Sequence, residues 1–249
     1  MDGCGRPHLP AQRGAHETRV ALRSSARPIS YRSIAVPSDE GRKQVTRGRD
    51  MARVGRPRQF DVDAALDAAL EVFWRHGYEG TSLSELTDSM GINRPALYAA
   101  FHGKKELFFR ALDRYLASDA SHTAQALLAP TARDVVEQYL LRTVDQITDE
   151  RRPMGCFILR GGLVCGPDNQ DVADHMAGVR RAAEADLRRR FMQARAAGDL
   201  PDDEDPAELA SFVSTVRQGL AVKACDGASP ETLGKTVARV VASLRWGGR

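Results

Sequence analysis

The stretch from Thr81 to Lys104, TSLSELTDSMGINRPALYAAFHGK, constrains the fold more than any other part of the chain. Ser82 followed three residues later by Glu85 is a capping box, which starts a helix near Leu83. Gly91 ends that helix by supplying the left-handed conformation a sharp turn demands. Asn93 then caps a second short helix whose first turn tolerates Pro95. Leu97 and Phe101 face inward with Leu83, Leu86 and Ile92, leaving Arg94, Ala96, Tyr98 and Ala99 on or near the exposed side. The pattern, over about 82–101, is a helix-turn-helix, and it points to duplex DNA.

Position assigns the roles. The N-terminal part of the second short helix enters a major groove, so Asn93, Arg94 and Ala96 lie nearest base edges. Arg94 can donate in bidentate fashion to guanine, and Ala96 or Ala99 can meet a thymine methyl. Thr81, Ser82, Tyr98 and Lys104 are placed for phosphates, which set position and not sequence preference. Total charge decides little: the chain carries +3, and residues 51–116 balance nine cations with nine acids. Ahead of the motif, Arg53, Arg56 and Arg58 form a basic arm suited to an adjacent minor groove, a solvated leader being the bland reading. Residues 1–50, with ten cations against five acids, lack helical or strand periodicity and read as disordered. They are either an Arg-rich tail adding non-specific DNA affinity or an over-long gene prediction.

The rest of the chain reads as helical. A first helix of about Val62 to His76 precedes the motif and ends at Gly77, with Trp74 in its apolar stripe. A fourth, about Lys105 to His122, links the reader to helices of about Ala132 to Asp149, Met154 to Cys165 and Asp171 to Ala197. Asp205-Pro206 and Ser229-Pro230 open the last two, whose stripes are Leu209, Phe212, Val213, Val216, Leu220 and Leu233, Val237, Val240, Val241, Leu244. The expected fold is all-α, about nine helices. Residues 51–118 form a three-helix DNA-binding domain, and 119–249 form a helical ligand-binding and dimerisation domain. No apolar run approaches the roughly 18 residues of a membrane span. The four cysteines show no metal-ligand or disulfide spacing, and a reducing cytoplasm is their simplest setting. No catalytic constellation, metal site or cofactor motif is present in the sequence.

Over about Phe60 to Ser118 the chain resembles the TetR-type transcriptional regulators. The shared elements are Gly77-Tyr78, Thr81-Ser82, Gly91-Ile92-Asn93, Leu97-Tyr98, Phe101, and Lys104 with Leu107. The resemblance implies a homodimeric repressor on a palindromic double-stranded operator, released by a small molecule or by thiol modification. It also implies that a shift of the fourth helix changes the spacing of two readers, and that the last two helices, about 206–225 and 230–246, build an intersubunit four-helix bundle. Where many members carry His or Tyr before the final Phe, this chain has Ala100, so His102 or Lys105 would have to supply that phosphate contact.

Helices five to eight should enclose a mostly apolar effector site, with Tyr139, Phe157, His175, Met176 and Phe212 as candidate walls, plain core being the alternative for each. Gly155-Cys156 opens the sixth helix near Arg151, Arg152 and Arg160, and such surroundings lower a thiol's pKa. Some members of the family carry Gly-Cys here and sense electrophiles or oxidants, which makes Cys156 a candidate sensor; simple packing competes. In a continuous helix, Cys165 would sit about 13 Å from Cys156. The competing class for the whole protein is a helical interaction module whose helix-turn-helix binds protein instead of DNA.

Overall fold

Side chains that take up free amide groups set where the helices begin. In the computed structural model, which describes residues 60–247 (backbone alone at 119–123), Asp61 accepts from the Asp63 and Ala64 amides at 2.9 and 3.2 Å. This starts α1, Val62–Gly80. Ser82 starts α2, Leu83–Met90, through the expected capping box: the Glu85 amide donates to its hydroxyl at 3.1 Å, and its own amide donates to the Glu85 carboxylate at 2.8 Å. Gly91 turns the chain at φ 64°, and Asn93 accepts from the Ala96 amide at 2.9 Å to start α3, Arg94–Phe101. There follow α4, Lys104–Leu127; α5, Ala132–Ile147; a single turn, α6, Phe157–Arg160; α7, Gln170–Ala196; α8, Pro206–Cys225; and α9, Pro230–Ser243. Thr131, Asp205 and Ser229 cap α5, α8 and α9, the last two with proline in the first turn. No strand occurs among the described residues.

Three expectations change. Regular geometry in α1 breaks at Gly77 (φ 70°, ψ 176°), as its glycine predicts, but a further turn continues to Gly80. The fourth helix runs past His122 to Leu127. The sixth is one turn instead of a helix of about Met154 to Cys165, because Gly155 has φ 89° and the chain beyond Gly161-Gly162 leaves helical geometry. Cys165 therefore lies in a loop, and the separation argued from a continuous helix does not apply. The basic arm at Arg53, Arg56 and Arg58 and the segment 1–50 lie outside the described residues.

One aromatic cluster joins the two halves. Phe73, Trp74 and Tyr78 of α1 meet Phe108 and Tyr115 of α4 and Phe157 of α6, with edge-on pairs such as Trp74–Tyr115 at 4.9 Å and Phe73–Phe108 at 5.1 Å. The Trp74 indole N–H, too polar to bury without a partner, donates to the Gly155 carbonyl at 3.2 Å. In the C-terminal half α5 packs on α4, α8 and α9, and α7 lies along α8. Phe212 departs from its expected inward stripe: it is 42% exposed on α8, while Leu209, Val213 and Leu220 are buried.

Candidate nucleic-acid interface

The turn at Gly91 brings the N-terminus of α3 beside α2. Arg94 is exposed there, and its Nη2 donates to the Ser84 hydroxyl at 3.0 Å, a partner on α2 that sequence spacing alone did not identify. This contact holds a five-donor fork at the outer edge of the motif while leaving most of its donors available. Asn93 and Ala99 are exposed, Ala96 is half-buried and Tyr98 is 50% exposed. These residues form one continuous outward face. The Asn93 side-chain oxygen is committed to capping, and so is the Ser82 hydroxyl, although both residues are exposed.

Thr81 corrects the expectation of a phosphate anchor. It is 2% exposed, and its hydroxyl donates to the Gly77 carbonyl at 2.7 Å, so it locks the corner between α1 and α2. Ser82 remains exposed beside it. Lys104 is half-buried, with its ammonium 4.4 Å over the Tyr78 ring. Burial lowers its pKa, opposed by Glu79, Cys165 and Glu85. His102 is exposed at the C-cap of α3 with φ 59°. Ala100 is buried, and its carbonyl accepts from Arg110 Nη1 at 3.1 Å, while the Arg110 guanidinium covers the Phe101 ring at 4.8 Å. Arg110 thus fastens the end of α3 to α4. Lys105 pairs with Asp171 at 2.9 Å, so of the two residues expected to substitute at Ala100 it is the one already paired.

The end of α1 is bonded to the segment that carries α6. The Tyr78 amide donates to the Gly161 carbonyl at 2.8 Å, and Arg160 donates to the Arg75 carbonyl at 3.1 Å. Glu79 accepts from the Gly166 amide at 2.8 Å and from Asn169 at 3.0 Å. The first of these bonds, helped by the second, holds the Glu79 carboxyl below its ordinary range.

Two cavities flank this seam. A groove of about 490 Å³ between α1 and α4 is lined by residues including Asp67, Leu70, Glu71, Trp74 and Arg114. A narrower cavity lies among α5, α6, α7 and α8, lined by Thr143, Cys156, Ile158, Leu159, Arg180, Arg217, Gln218 and Ala221. Neither is lined by any of the five expected wall residues. Phe157 and Met176 are fully buried core. Tyr139 is buried beneath the Arg217 guanidinium at 5.6 Å. His175 is half-buried against Phe109 at 4.8 Å, where burial lowers its pKa against the opposing charge of Asp113. Phe212 faces outward.

Cys156 is 7% exposed, borders the narrow cavity, and has its sulfur 3.8 Å from the Tyr115 hydroxyl. The cations expected around it are engaged elsewhere: Arg151 and Arg152 with Asp149, and Arg160 with main-chain carbonyls. Arg180 and Arg217, which local sequence did not point to, are the cations that line the same cavity. Among the described residues no helix is long and apolar enough to cross a membrane, and no group of three or more His, Cys, Asp or Glu side chains could hold a metal ion.

Two family models match this chain: "Bacterial regulatory proteins, tetR family" over residues 65–111, and "Tetracyclin repressor-like, C-terminal domain" over residues 132–236. The HTH-type transcriptional repressor ComR of Escherichia coli (strain K12) is 36% identical over 181 residues, 72% of this chain and 86% of that protein. The HTH-type transcriptional repressor BdcR of the same organism is 34% identical over 191 residues, 74% and 89% of the two chains. A structure of a cysteine mutant of the TetR family transcriptional regulator CifR, complexed with 26-bp double-strand operator DNA, superposes with a TM-score of 0.74. It is 40% identical and covers 76% of this chain and 100% of that one. With a DNA-reading motif at its N-terminal end and a helical regulatory half behind it, the chain belongs to the TetR family of DNA-binding transcriptional regulators.

Proposed function

We propose that the protein is a homodimeric repressor that binds a palindromic operator and leaves it when a small molecule or thiol modification favours another conformation. The observation that carries the reading is the outward face of α3, where Arg94 is held by Ser84 beside exposed Asn93, Tyr98 and Ala99. Arg94 reads guanine, Ala96 and Ala99 meet thymine methyl groups, and Ser82, Tyr98, His102 and Lys104 take phosphates. Arg53, Arg56 and Arg58 extend the contact into the minor groove. The operator complex of the similar CifR cysteine mutant supports this assignment.

Dimerisation through α8 and α9 has its own support. Phe212, Thr215, Gly219 and Val222 form an exposed stripe along α8, spaced to lie on one side of the helix. No atom outside its own surroundings lies within 4 Å of the place a Gly219 side chain would occupy, so a partner helix has room to approach. Release would act through the segment that carries Cys156 and Gly161, because it is bonded directly to the end of α1. A change in that segment shifts the reader only insofar as the effector prefers one conformation over the other.

A titration against duplex from the intergenic region adjoining the gene tests the reading. Affinity should fall steeply with salt as phosphate contacts release counterions, and should exceed affinity for random duplex. Equal affinity for both duplexes, or no salt dependence, rejects it in favour of a protein-interaction module.

A further inference from the structure

Arg75, Arg114, Arg151, Arg189 and Arg245 are each held by a carboxylate. Arg94 is held by a neutral hydroxyl instead: its Nη2 donates to Ser84 at 3.0 Å. A carboxylate neutralises a guanidinium and takes donors that a base or phosphate would use, whereas a hydroxyl orients it at full charge. Glu85, the acid next to Ser84, is kept out of the contact by the capping box, which turns its carboxylate to the Ser82 amide at 2.8 Å. Both partners stand on helices. Ser84 lies in the first turn of α2, where its carbonyl accepts from the Thr87 hydroxyl at 2.9 Å. Arg94 opens α3, and the Ile92 amide just before it donates back to the Thr87 carbonyl at 3.0 Å, so the turn fixes one helix against the other.

We infer that Ser84 is a positioning residue for base readout: its hydroxyl takes one N–H of Arg94 Nη2 and turns the fork so that the remaining donors meet the base edge. The inference rests on the reading that Arg94 donates to guanine, and it names the residue through which that contact becomes selective. A bidentate contact with guanine O6 and N7 requires the guanidinium to lie close to the plane of the base. An unrestrained arginine on a helix surface samples many rotamers, including some that reach a phosphate or a different base. Each such alternative narrows the gap between the right and the wrong base pair. Tying one N–H to α2 removes most of them. Ser84 touches no base in this role and acts through Arg94.

The full chain is titrated with the duplex of the adjoining intergenic region and with a panel of the same duplex carrying one replaced base pair each. The pair read by Arg94 is the one at which Arg94→Ala no longer discriminates. There Ser84→Ala should lower discrimination roughly three- to tenfold, within the range of one hydrogen bond. Discrimination at the other pairs, and affinity for random duplex, should be unchanged. Ser84→Thr, which keeps the hydroxyl, should retain the original pattern. In the Arg94→Ala background Ser84→Ala should have no further effect, because the two residues act as one unit. Ser84 is exposed, so its truncation leaves the core intact. If Arg94→Ala loses discrimination at one pair and Ser84→Ala does not, the inference falls and the reading of Arg94 stands. A loss that persists in the Arg94→Ala background also overturns it, since Ser84 would then contact DNA in its own right. If Arg94→Ala weakens every duplex alike, Arg94 is a phosphate contact and both fall.

Discussion

Arg94 and Ser84 sit ten residues apart, yet the turn at Gly91 makes them hydrogen-bonding partners. The contact restricts the long Arg94 side chain, which would reduce the entropy lost in the proposed contact with a base. Arg94→Ala should cost about 1–3 kcal/mol of operator affinity, roughly fivefold to 150-fold. Affinity for random duplex should change little, because base contacts carry the discrimination. Parallel titrations with both duplexes measure the two losses, and equal losses would make Arg94 a phosphate contact. Thr81 shows the opposite case: its hydroxyl is consumed by Gly77, so its place in the motif belongs to the fold.

At the scale of elements, the junction between α1 and the segment 155–169 is tied by side-chain and main-chain hydrogen bonds. Gly77 is central to it. Its φ of 70° favours a residue without a side chain, and a Cβ there would lie 3.1 Å from the Arg160 carbonyl oxygen. Gly77→Ala should therefore destabilise the protein by about 1–3 kcal/mol, the usual cost of forcing a side chain into such a backbone. Denaturant unfolding monitored by the Trp74 environment would show it, and an unchanged midpoint would mean that the corner tolerates a side chain. Arg110 has the matching role at the other end of the motif, where it holds α3 to α4 through the Ala100 carbonyl and the Phe101 ring.

At the scale of the whole molecule, the proposed dimer face makes Phe212 and Gly219 informative. Both are exposed, so changing them leaves the packing within one subunit largely intact. Gly219→Arg should place a long cation where a second α8 approaches, and Phe212→Asp should remove an apolar contact and add charge. Either should convert dimer to monomer in light scattering while helical circular dichroism persists. Operator affinity should then fall at least roughly tenfold, as two linked half-site contacts become independent. A variant that stays dimeric would move the interface away from this stripe.

The chain by itself determined what local chemistry can determine. Ser82 with Glu85, Gly91, Asn93 and Pro95 specify their helix ends through bonds within a few residues, and the capping atoms are where the sequence places them. The outward position of Arg94, Tyr98 and Ala99 likewise follows from helical period. Tertiary structure decided whatever depends on partners distant in the chain. Thr81 looks like a surface hydroxyl until α1 bends at Gly77 and buries it. Met154 to Cys165 has the apolar content of a helix, but contacts with α1 and α7 hold it as one turn and a loop. Five apolar and aromatic residues resemble pocket walls in sequence, and only packing divides them between core, half-buried surface and the open face of α8. Arg180 lies 24 residues from Cys156, and the two line one cavity only because α7 packs beside the start of α6. Capping and periodicity are short-range and can be read in order along the chain, whereas burial and charge pairing are settled only when distant segments meet.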